Sequence, residues 1–161
     1  IAFRLTPQIF LAQRIESSPD HTSANNYLLT MPILTVHLDR IENLADEDHI
    51  GKSDPYVKFE LEQDNAFFDK DFGEMKSSKK KDEQNPVYGE DFHFNIPTLN
   101  NMELKIKVMD DDVGRDEELG ECKIKLEKLD LGPEAMDIKR KVDNNIFSPD
   151  AFVFLKLSYT E

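Results

Sequence analysis

The chain has 161 residues, 39% of them hydrophobic, which is enough for one domain with a sizeable core and a tail. Twenty basic residues against 33 acidic ones leave a net charge of −13, which argues against a nucleic-acid binder working through bulk positive charge and favours cations or a basic partner. A single cysteine, Cys122, excludes an internal disulfide framework and a Cys-rich zinc site, and no apolar run approaches the ~20 residues of a membrane-spanning helix.

In chain order, residues 1–31 carry only Arg4, Arg14, Glu16 and Asp20 as charges, so the whole −13 falls in 32–161. The small, polar stretch SSPDHTSANN at 17–26 reads as a linker. Two readings stay open for 1–31: a leader upstream of an initiator at Met31, or a real extension of the domain. From Pro32 onward a period of two recurs. Leu34, Val36 and Leu38 alternate with Thr35, His37 and Asp39. Further strands are expected at 55–62, roughly 75–81, 89–96, 104–108, 122–126, 136–142 and 153–159. Each has one apolar face, and no long amphipathic helix competes. About eight such strands predict an all-β antiparallel sandwich.

Carboxylates concentrate between the strands. ADEDHIGKSDPYV, residues 45–57, holds Asp46, Asp48 and Asp54. MDDDVGRDEELGE, residues 109–121, holds Asp110, Asp111, Asp112, Asp116, Glu117 and Glu118. Loops at one end of a sandwich converge, and crowded carboxylates repel unless a hard cation neutralises them. Calcium takes 6–8 oxygens in irregular geometry, whereas magnesium demands a tighter octahedron. The alternative is a merely solvated acidic surface. An EF-hand is excluded: Asp110, Asp112 and Glu121 match its first, third and twelfth positions, but Gly114 and Arg115 occupy its fifth and sixth, and strands flank the loop. A hydrolase reading lacks parts. The histidines at 21, 37, 49 and 93 sit in unrelated contexts with no nucleophile elbow, so no enzyme activity is expected.

GKSDPYVKFEL at 51–61, NPVYGEDFHF at 85–94 and VMDDDVGRDEELGE at 108–121 together resemble the C2 domain, a calcium- and phospholipid-binding module. The resemblance covers roughly 33–160, so 32–161 is read as a C2-like domain. It implies an eight-stranded Greek-key sandwich. The strand leading into the first acidic loop stands first and FVFLKLSY stands last, which is similar to the type II permutation. By the same resemblance the metal ligands are Asp48, Asp54, Asp110, Asp112 and either Asp116 or Glu117, holding two or three calcium ions. The loop tips implied to meet lipid are His49 and Ile50, with Val113 and Arg115. The basic run KSSKKK, with Lys76, Lys79, Lys80 and Lys81, matches a phosphoinositide patch of some relatives; its alternative is a lysine strand guarding a sheet edge. The implied partner is an anionic phospholipid membrane, with the protein cytoplasmic and peripheral once calcium binds. The rival function is a C2-like protein-interaction domain that works independently of lipid.

Overall fold

The computed structural model describes residues 31–44, 53–65, 69–143 and 150–161. Eight strands run in chain order: β1 Ile33–Glu42, β2 Pro55–Gln63, β3 Lys70–Lys76, β4 Val87–Asn95, β5 Met102–Asp110, β6 Glu117–Lys125, β7 Met136–Val142 and β8 Ala151–Thr160. A 3-10 turn, Leu126–Lys128, follows β6. The strands form two four-stranded sheets, ordered β4-β1-β8-β7 and β3-β2-β5-β6, and every strand pairing within them is antiparallel. The last strand lies between the first and the seventh, as the type II permutation requires.

Period-2 alternation explains the layering, because alternate side chains of a strand face opposite sides. Val57, Phe59 and Leu61 of β2, Leu104, Ile106 and Val108 of β5, and Val153, Leu155 and Leu157 of β8 are all buried between the sheets. Phe59 and Phe92 meet across the layers with ring centroids 4.9 Å apart. In β1 a bulge between Leu38 and Arg40 sets both Asp39 and Arg40 outward and returns Ile41 to the core three residues after Leu38.

β3 departs from the sequence-based expectation of 75–81. It ends at Lys76, and Lys79, Lys80 and Lys81 belong to the loop that follows. A bulge hides the start of the strand from a period-2 reading. Leu61 pairs with Gly73 and Glu62 with Asp71, which leaves Phe72 as the extra residue. Phe72 and Met75 therefore both pack against the core although three residues apart, so β3 carries no period-2 signature. Gly73, at φ 117°, supplies the backbone conformation that this irregularity needs. The lysine-guarded strand edge is corrected accordingly, since an edge strand does not extend through Lys79–Lys81.

Candidate functional site

The site is built where β1 runs toward β2 and β5 toward β6. Asp110 is the last residue of β5 and only 5% exposed. In the ladders it stands opposite Pro55 on one side and Glu117 on the other. The backbone N–H of Asp54 donates to Asp110 Oδ1 at 2.7 Å, and the N–H of Asp111 donates to the carbonyl of Asp54 at 3.3 Å. Asp54 of the first acidic loop is thus tied to the second by one bond to a carboxylate and one to a backbone N–H. Asp54 Oδ1 in turn accepts the N–H of Asp82 at 2.9 Å, which brings in the loop after β3.

Asp116 is oriented by Tyr56, whose hydroxyl donates to Asp116 Oδ2 at 2.7 Å. Burial and that neighbouring carboxylate push the Tyr56 phenol up to about 12, because ionising it would place a phenolate in a poorly hydrated site beside a second anion. Asp112, Val113 and Glu117 are exposed, and Val113 projects fully into solvent at the tip. Arg115 is exposed and lines a cleft with Asp116, Glu117 and Glu118.

Of the expected ligands, Asp54 and Asp110 are brought together directly, Asp116 is held by the strand that follows Asp54, and Glu117 faces Asp110 across the ladder. Asp48, His49 and Ile50 lie outside the described residues. Among the described residues no three His, Cys, Asp or Glu side chains converge closely enough to hold a metal ion. The donors nevertheless suit a hard cation. Asp110 is a buried carboxylate, and burying a charge is costly unless it is paired. Beside Asp54, the hydroxyl Oγ of Ser53 is buried without a hydrogen-bond partner among the described residues. Oxygen donors of this kind match calcium rather than a softer metal.

Sequence reasoning missed two participants and one long-range contact. Ser53 and Tyr56 flank Asp54-Pro55 and were read only as part of a motif. Lys79 forms an ion pair with Asp111, a contact between segments 32 residues apart that no local pattern announces. Lys76 closes β3 and pairs with Glu74 at 3.4 Å, while the Lys80 ammonium lies 5.4 Å from the Tyr88 ring.

The family model of the C2 domain matches residues 32–141. The chain belongs to the C2 domain family. Synaptotagmin-9 of Rattus norvegicus is 38% identical over 109 residues, covering 66% of this chain and 21% of that protein. Synaptotagmin-10 of Homo sapiens is likewise 38% identical over 109 residues, covering 66% and 20%. This C2 chain therefore spans about a fifth of the length of the curated relatives it matches. Among solved structures, the C2A domain of plant Extended Synaptotagmin 1 superimposes with a TM-score of 0.67 at 23% identity, covering 81% of this chain and 95% of that one. Human GIVD cytosolic phospholipase A2 gives 0.66 at 21% identity over 82% of this chain and 17% of that enzyme. At these identities the likeness is one of fold, and it agrees with the two four-stranded sheets of this C2 domain.

Proposed function

We propose that this C2 domain docks to anionic phospholipid membranes when calcium binds, and that it does so without catalysis of its own. The observation that carries the reading is the buried Asp110 carboxylate, joined to Asp54 of the other acidic loop. The ligand set is Asp48, Asp54, Asp110, Asp112 and one of Asp116 or Glu117. Asp116 is favoured because Tyr56 occupies one of its oxygens and orients the other. Two or three ions would reverse the local sign and offer open coordination positions to lipid oxygens. The chain's own residues then have distinct tasks. Val113, wholly exposed at the loop tip, enters the interface, and Arg115 meets phosphate. Asp54 and Asp110 keep the two loops in register as the lipid arrives.

The test is co-sedimentation with vesicles of phosphatidylcholine, with and without phosphatidylserine, in calcium and in chelator. Binding is expected only to the phosphatidylserine vesicles in calcium. Equal binding in chelator would overturn the calcium dependence and return the reading to the lysine run or to a protein partner.

A further inference from the structure

The lysine run at 76–81 is the densest positive charge in a chain of net −13, and the fold turns it back onto the acidic loops. Backbone and side-chain contacts hold it there. The N–H of Ser77 donates to the Val57 carbonyl at 2.9 Å, and the N–H of Lys80 to the Pro55 carbonyl at 3.0 Å. The N–H of Asp82 donates to Asp54 Oδ1 at 2.9 Å. Between these anchors the ammonium of Lys79 forms an ion pair with Asp111, the middle residue of Asp110-Asp111-Asp112. The hydrogen bond and charge of Asp111 raise the Lys79 pKa, and Asp54 and Asp116 add to the pull. One ammonium therefore feels carboxylates of both loops that form the proposed metal site.

We propose that Lys79 is a tethered counter-ion of this site: its ammonium partly neutralises these carboxylates, is expelled when calcium enters, and then serves an anionic lipid headgroup. The inference rests on the calcium reading above. Its logic is charge competition. A lysine ammonium is a compact point charge on a flexible stem, so it can neutralise a carboxylate without a fixed coordination geometry. A divalent ion at the proposed site repels that ammonium and takes over the neutralisation. The pair must be weak to yield, and it is: the Lys79 and Asp111 side chains are 59% and 39% exposed, which is the regime of low-value surface pairs. The backbone anchors remain when the ammonium leaves, so the freed charge stays beside the membrane-facing loops.

Calcium calorimetry on the full chain tests the idea with Lys79→Met, Lys79→Arg and Lys81→Met. Lys81 carries the same charge in the same run and has no ion-pair partner among the described residues. Lys79→Met should bind calcium roughly two- to fivefold more tightly, the span expected for removing one exposed charge contact. Lys79→Arg should stay at the parent value, and Lys81→Met should change by less than half of the Lys79→Met effect. At saturating calcium, Lys79→Met should bind phosphatidylserine vesicles about fivefold more weakly, from the loss of one cation near an anionic surface. In the lysine side-chain nitrogen spectrum, the Lys79 signal should move from a hydrogen-bonded to a free position as calcium is added. Equal calcium affinity in Lys79→Met and Lys81→Met, or a Lys79 signal indifferent to calcium, would overturn the counter-ion role. Unchanged vesicle affinity would overturn the passage to lipid. A parent protein that gives no calcium heat would instead defeat the calcium reading itself, so the two failures are distinct.

Discussion

Asp54 has three separate tasks. Its backbone N–H reaches Asp110, its carbonyl accepts from Asp111, and its side chain accepts from Asp82. An Asp54→Asn substitution keeps the backbone contacts and the Oδ1 acceptor while removing one charge. It should hold or slightly raise the calcium-free melting midpoint, because it relieves repulsion with Asp110. It should also weaken calcium binding at least about tenfold, since ligand charge sets affinity at such sites. Paired melts with and without calcium separate the two effects, and a full calcium shift in the mutant would remove Asp54 from the ligand set. Tyr56 makes a different claim. Its phenol is raised from 10.0 to about 12 by burial and by Asp116, so the folded state holds the proton more tightly than the unfolded chain. The stability this confers is complete below pH 10 and is lost as pH climbs through 12. Urea melts across that window should show a decline in the parent that is shallower in Tyr56→Phe. An identical decline in both proteins would show that the Tyr56 phenol contributes no such stability.

Bulges, more than regular ladders, decide where the strands aim. The Phe72 bulge offsets the first residues of β3 from the rest, and beyond the strand's end at Lys76 the residues Lys79–Lys81 lie in the loop beside the acidic site. Gly73 stands at φ 117° with no heavy atom within 4 Å of where a Cβ would lie, so an added methyl strains the backbone without a clash. Gly73→Ala should therefore lose about 1–3 kcal/mol in urea unfolding. A loss near zero would mean that β3 can re-register freely. The outer face of the same sheet explains why its lysines do not form a second basic patch. Glu60 lies 2.8 Å from Lys58, 3.3 Å from Lys107 and 3.5 Å from Lys105, neutralising the cluster from its centre. On the other sheet, Arg40 and Lys139 cover the ring of Phe154 at 3.8 and 5.1 Å, which shields that aromatic from solvent.

For the molecule as a whole, calcium that binds only the folded state adds RT ln(1 + [L]/Kd), about 2.7 kcal/mol at a hundredfold excess over Kd. For a domain of ~130 residues that is a rise of roughly 10 °C in the melting midpoint. Magnesium at the same concentration should do much less, because its octahedral demand suits these loops poorly. Equal shifts from both ions would indicate simple screening of a net charge of −13 rather than a built site. Membrane docking should also weaken as salt rises, since the Debye length contracts from about 10 Å at 0.1 M to about 3 Å at 1 M.

Residue order alone determined the sheet-forming pattern. Leu34, Val36 and Leu38, or Leu104, Ile106 and Val108, alternate with polar residues because one strand face meets a core and the other meets water. The same order placed the carboxylates between strands, and the motifs around Asp54, Asp110 and Gly120 carried the family. Tertiary structure alone decided three further points. β3 lies at Lys70–Lys76, since a bulge erases the period that a one-dimensional reading depends on. Asp110 is buried and receives the Asp54 N–H, since β2 and β5 pair in the register that sets Pro55 opposite Asp110. Lys79 meets Asp111 and Tyr56 meets Asp116, since long-range contacts follow from how strands and loops are brought together, and charge or hydroxyl chemistry in the sequence does not specify its own distant partner.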